Sequence, residues 1–186
     1  MNIRYNAPVT LTFALISTCI LAVDQLFGLG LIPRFFSIPG RGYLSGAGFA
    51  GVFRLFTHVA GHYNWTHLLS NFTFILLLGP SLEEKYGSGA ILFMILTTAF
   101  VTGILNILLF STGLLGASGV VFMMILLISF TNIKKGDIPL TFILVVVLFL
   151  AREIINSFET NTVSEFAHIM GGIIGSLFGF FSRRKH

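Results

Sequence analysis

Residues 116–133 read GASGVVFMMILLISFTNI, eighteen positions without an Asp, Glu, Lys or Arg. Crossing the ~30 Å hydrocarbon core of a bilayer takes about 20 such residues as a helix. The run opens on Gly116-Ala117-Ser118-Gly119, and the residues before it, Ser111-Thr112-Gly113-Leu114-Leu115, are also uncharged. Uncharged, glycine-bearing backbone at membrane depth is tolerated only where protein buries it or water fills a hollow beside it. A short helix that starts inside the membrane at this serine would leave such a hollow. Its first N–H groups, unpaired within the helix, would face that hollow, where they and the positive end of the helix dipole can hold an oxyanion.

Working outward, five more apolar runs appear at about 8–30, 64–82, 89–110, 138–157 and 164–182. The expectation is an all-α membrane protein: one domain over 1–186, a bundle of six transmembrane helices, and an interfacial loop after the first. Composition agrees. Of 186 residues 55% are hydrophobic and 10% charged, where a soluble domain carries about 25% charged. The net charge of +4 does not indicate a nucleic-acid partner, because the basic residues flank apolar runs instead of clustering on one soluble face. The first run lacks a small-residue cleavage site before a soluble domain, so it reads as a span and not a cleaved signal. The single cysteine, Cys19, excludes a disulfide framework.

Six spans put both termini on one side. Arg4, Lys85, Lys134, Lys135, Arg183, Arg184 and Lys185 would share that side, seven against the four of Arg34, Arg41, Arg54 and Arg152. The excess of basic residues makes it the cytoplasmic one, with the cell membrane as the expected location. The terminal Arg183-Arg184-Lys185 suits anionic lipid headgroups, and membrane lipid is one expected partner. Segment 33–63, rich in glycine and aromatics, reads as the interfacial loop, its rings and arginines at headgroup level.

Polar side chains inside a span are costly and mark sites. The second run holds His67 and Asn71, the fourth Ser118 and the sixth His168. His67 lies 16 residues before Glu83, Ser118 16 before Lys134 and His168 15 before Arg183. At 1.5 Å per residue all three stand roughly 22–24 Å above the cytoplasmic boundary, in one layer below the outer surface. Asn71 follows His67 by four residues, one turn down the same face. Gly171 and Gly175 after His168 form a small-residue face that lets a helix press against its neighbour, the geometry that would bring His168 within hydrogen-bond reach of Ser118.

Each of these residues also has an ordinary reading. A lone Gly-x-Ser-Gly in an apolar helix is usually packing, and a lone His67 is usually interfacial; the shared depth and Asn71 tip both toward a site. His58, His62 and His67 lack an accompanying acid or HExxH, so no metal is expected; His58 and His62 read as loop histidines holding the interfacial segment. Glu165 leans away from His168 toward water. Asp24 falls near the outer end of the first helix. The Asn64 and Asn71 sequons lie at or in the membrane and are set aside as glycosylation sites.

With these residues assembled, the chain resembles the rhomboid intramembrane serine proteases. The resemblance rests on His67-Leu68-Leu69-Ser70-Asn71, Gly116-Ala117-Ser118-Gly119 and Ala167-His168-Ile169-Met170-Gly171 with Gly175, joined by Arg54–Thr57 ahead of His58 and His62 and by EEKYG at 83–87. It extends from about Phe53 to Gly179. It implies a Ser118–His168 dyad without an acid, an oxyanion site from the Ser118 backbone with His67 and Asn71, supporting roles for Gly116, Gly119, Phe122, Gly171 and Gly175, no cofactor, and membrane-spanning substrates cut near their outer ends. Two positions depart from the family's pattern. Phe122 stands where a tyrosine is usual, keeping a ring and losing a hydroxyl, and Phe53 stands where a tryptophan precedes the loop arginine. The alternative is a rhomboid-like binder of membrane helices without proteolytic activity, which would be expected to lack the serine or the histidine. A transporter would need a polar path across the whole membrane, and an aspartyl intramembrane protease two intramembrane aspartates; neither pattern is present.

Overall fold

Pro8 opens the first helix. Its fixed φ suits the first helical turn, where a missing N–H costs nothing. In the computed structural model, which describes residues 4–42, 48–131 and 165–182 with the helical positions 140, 143, 144, 147 and 148, helix α1 runs Pro8–Phe27. It stops short of the expected residue 30 because Gly28 takes the left-handed conformation (φ 60°) and returns its N–H to the carbonyl of Asp24. Gly30 is left-handed too, and a second short helix, α2, follows at Leu31–Phe35. The Asp24 carboxylate accepts the N–H of Leu31 at the start of α2.

Helix α3 covers Gly48–Thr57 and passes into a 3-10 turn, His58–Ala60. Asn64 caps α4, Trp65–Tyr86, by accepting the N–H of His67 at 2.8 Å. Helix α5 spans Ser88–Leu109, α6 Ser118–Thr131 and α7 Glu165–Ser182. Every named element is helical. α1 and α5 are long and apolar enough to cross a membrane, and α6 and α7 contain shorter apolar stretches, Ser118–Ser129 and Ile169–Phe178. The span expected at 138–157 lies outside the described residues apart from the five helical positions above. In α7 the side chains of Glu165 and His168 lie outside them too.

α6 holds the centre. Val120, Met123, Met124 and Leu127 are fully buried, and they pack with Leu68, Phe72 and Ile75 of α4 and Ile95 and Ala99 of α5. α1 leans on α4 so closely that a Cβ on Gly79 would come within 2.5 Å of the Thr10 methyl. Glu83, read from sequence as the charge ending the second span, is instead buried inside α4, which continues to Tyr86. Its carboxylate accepts the N–H groups of Val9 (2.9 Å) and Thr10 (3.0 Å) and the Thr10 hydroxyl (2.8 Å). It therefore satisfies the open N-terminal donors of α1 from another helix. Outward-facing Leu15, Leu26, Leu77, Phe93 and Leu108 leave an apolar surface on α1, α4 and α5, as lipid requires.

α6 and α7 meet backbone to backbone. A Cβ on Gly171 would lie 2.0 Å from the Gly119 carbonyl oxygen, and one on Gly175 2.3 Å from that of Met123. Gly171→Ala must push rigid backbone apart, whereas a Cβ on Gly172 would meet only the tip of Leu126 at 3.0 Å. Gly171→Ala is expected to cost about 1–3 kcal/mol and Gly172→Ala distinctly less, compared as thermal midpoints in one detergent. Equal midpoints for the two variants would contradict this packing.

Candidate active site

The chain between α5 and α6 is suspended from the first loop. Asn106, fully buried in α5, donates through Nδ2 to the Thr112 carbonyl at 3.0 Å. Ile38 and Leu114 exchange two backbone hydrogen bonds of 2.8 Å, and the Arg41 N–H donates to Phe110 at 2.7 Å. Gly40 sits against Ser111 with no room for a Cβ, which would lie 2.0 Å from the Ser111 oxygen. The first loop is itself held by Arg54, which is buried and gives its guanidinium to the carbonyls of Ser37 and Pro33. A charge hydrogen-bonded to carbonyls in this way is tolerated in a dry setting.

Two further bonds fix the last turn before α6. The Gly116 N–H donates to the His58 carbonyl at 2.9 Å, and the Ala117 N–H donates to His62 Nε2 at 3.4 Å. Gly116 has φ +108°, a conformation that favours glycine. The space its missing side chain leaves is taken by the two polar residues of α4. A Cβ there would lie 2.6 Å from His67 Cε1, 2.8 Å from His67 Nε2 and 3.8 Å from Asn71 Nδ2. Ser118, two residues on, is the first residue of α6 and half-buried. Three of the sequence-expected residues, His67, Asn71 and Gly116, thus converge beside it.

His67 is flanked by rings, with His62 at 5.0 Å and Tyr63 stacked at 5.9 Å between centroids. The Asn71 amide Nδ2 is buried and meets no acceptor among the described residues. A buried donor without a partner is costly, and here it faces the turn that carries Ser118. Phe122, one turn into α6, is buried. On α7 the two glycine contacts run in parallel register with α6, Gly171 against Gly119 and Gly175 against Met123. His168, three residues before Gly171, is therefore level by backbone register with the turn 116–118, while its side chain lies outside those described. Among the described residues no three His, Cys, Asp or Glu are arranged to hold a metal ion.

Burial pushes the His58 imidazole down to about 4. Burial, and after it the neighbouring His67, does the same for His62, also to about 4. Both rings are neutral near pH 7. The unfolded chain regains the ordinary value of 6.5, so between those limits it binds protons that the folded chain refuses. Stability is full above about pH 6.5 and falls as the pH drops, by roughly 2 kcal/mol per histidine at pH 5. Thermal midpoints at pH 5 and pH 7 in detergent check this, and a flat profile would contradict it.

Sequence reasoning missed Asn106, although an asparagine within an apolar helix is itself a signal. It assigned His58 and His62 to the interfacial segment without their contacts to the serine turn, which no local pattern encodes.

A protein-family model described as "Rhomboid domain" matches residues 50–185. Among curated proteins, the chain is 23% identical over 177 residues to "Rhomboid protease GlpG" of Pectobacterium atrosepticum, covering 93% of this chain and 62% of that protein. It is 25% identical over 132 residues to "Rhomboid protease GlpG" of Haemophilus influenzae, covering 69% of each. The chain thus spans less than two thirds of the Pectobacterium relative.

Proposed function

The chain belongs to the rhomboid family, and from that premise we propose that it is an intramembrane serine endopeptidase that cuts membrane-spanning substrates with Ser118 as nucleophile and His168 as base. The proposal includes six spans, the 33–63 loop at the outer interface, both termini in the cytoplasm and residence in the cell membrane. The relatives' names supply the activity class. The observation that carries the reading is the convergence on Gly116, next to the first residue of α6, of His67 and of an Asn71 amide without an acceptor among the described residues.

In this mechanism the Ser118 hydroxyl adds to the scissile carbonyl as His168 takes its proton. The tetrahedral oxyanion accepts hydrogen bonds from the Ser118 N–H, the Asn71 amide and His67. Collapse breaks the C–N bond, and the imidazolium of His168 returns the proton to the leaving amine. Water, activated by the same imidazole, then hydrolyses the acyl-serine and restores both groups. The level of residue 168 opposite the turn 116–118 supports this pairing. The N-terminus of α6 supports the oxyanion position, because first-turn N–H groups have no intrahelical acceptor. A helical substrate hides its carbonyls, so the substrates this site suits unwind readily near the cut, as segments with Gly or Pro do.

The test is to purify the chain in detergent, incubate it with a transmembrane substrate carrying Gly or Pro near its outer end, and map the products by mass spectrometry. Cleavage within or beside that segment, together with labelling of Ser118 by a fluorophosphonate, is the expected result. Intact substrate and an unlabelled serine would overturn the proposal.

A further inference from the structure

The turn that delivers Ser118 has no cap of its own. Residue 117 begins α6 by giving its carbonyl to Val121 at 2.9 Å, a position where Ser, Thr, Asp or Asn would normally add a side-chain acceptor. Alanine adds none. Both N–H groups leading into the helix are satisfied from one five-residue stretch instead: Gly116 by the carbonyl of His58 and Ala117 by the ring of His62.

We propose that His62 is a positioning residue for the reaction: its neutral ring, bare at Nε2 and protonated at Nδ1, holds the Ala117 N–H and thereby sets Ser118 against the donors of His67 and Asn71. The inference rests on the protease reading of this site.

The chemistry at both ring nitrogens points to one tautomer. A backbone N–H only donates, so the Nε2 that faces Ala117 carries the lone pair. A carbonyl only accepts, so the Nδ1 that lies 3.3 Å from Ala60 carries the proton. An imidazolium would turn an N–H toward an N–H and lose the contact to the serine turn. The surroundings favour the neutral form. His62 is fully buried, with the Phe72 ring at 5.6 Å and the His67 ring at 5.0 Å. The titratable group that acts on it is His67 from α4. Burial and His67 hold its pKa near 4.

The contact matters because it is the bond that the N–H of the Gly116–Ala117 peptide makes, between a Gly116 held by His58 and an Ala117 carbonyl already committed to α6. Gly116 already occupies a backbone region with few steric stops. A rotation there would carry Ser118 away from His67 and Asn71 while leaving the α4 donors in place. The loss would therefore fall on the chemical step, not on substrate binding.

The experiment compares the full chain with His62→Leu and His62→Gln. Leucine fills the site without an acceptor. Glutamine places a carbonyl oxygen near the position of Nε2 and cannot titrate. His62→Leu is expected to lower kcat by roughly 10- to 100-fold with KM within about threefold, and His62→Gln to restore kcat to within about fivefold. In parallel, NMR of the 15N-histidine-labelled wild type should show Nε2 of His62 unprotonated and Nδ1 protonated at pH 7 and still at about pH 5. A folded His62→Leu protein with wild-type kcat would overturn the proposal. So would a protonated Nε2, which remains decisive even if His62→Leu fails to fold. If the wild type cleaves nothing, the protease reading has failed on its own, while the tautomer measurement still reports whether His62 holds the Ala117 N–H.

Discussion

Ser118→Ala is expected to remove cleavage of a transmembrane substrate by a factor on the order of 10⁴ or more, leaving the thermal midpoint close to wild type. The hydroxyl is the only group in the proposed mechanism that bonds covalently to substrate. Ser118 is half-buried at the head of α6, so losing one oxygen leaves little cavity and the fold should tolerate it. His168→Ala should cost about as much, and the double variant no more than either single one, because a nucleophile and its base act as one unit. Rates of product formation under single-turnover conditions distinguish the outcomes. Losses that multiply in the double variant would mean that Ser118 and His168 act separately.

Asn71→Ala is expected to lower kcat by roughly 10²–10³ with KM nearly unchanged, as removal of one oxyanion donor does in serine proteases. Its amide Nδ2 is buried and meets no acceptor among the described residues, so removing it breaks no hydrogen bond among them. In the proposed mechanism its acceptor is the carbonyl oxygen that gains charge in front of it. The midpoint should therefore change little while the rate collapses, a separation typical of sites held at the expense of stability. Asn71→Asp keeps the shape and replaces the donor by a carboxylate, so it should be slower still. A substantial fall in the midpoint of Asn71→Ala with an unaffected rate would make Asn71 a structural residue.

Much of the helical architecture is written locally. The run at 64–82 carries its own start signal, since Asn64 precedes it and caps α4. The serine at the head of the run 116–133 stands at the first position of α6. Gly171 and Gly175 advertise a close helix contact by their spacing, and both lie against α6 backbone. The features that sequence alone did not give are long-range. Arg54 reads as one more basic residue of the loop, and its burial against carbonyls 17 and 21 residues away is not visible in the sequence. Glu83 reads as a charge at the end of a span, and its partners lie 73 and 74 residues earlier. His62 meets Ala117 across 55 residues. Hydrophobic periodicity reports which face is apolar and says nothing about which distant N–H a ring or carboxylate will meet.

The carboxylate of Glu83 has a consequence for how the molecule is made. The donors it satisfies belong to Val9 and Thr10, so the start of α1 leaves the ribosome long before its partner exists. At about 5–20 residues per second, the wait is roughly 4–15 s. During that interval those N–H groups need water or lipid headgroups. The first segment can insert early but seats against α4 only after the chain has grown past residue 83, which makes helix docking follow the order of translation instead of preceding it.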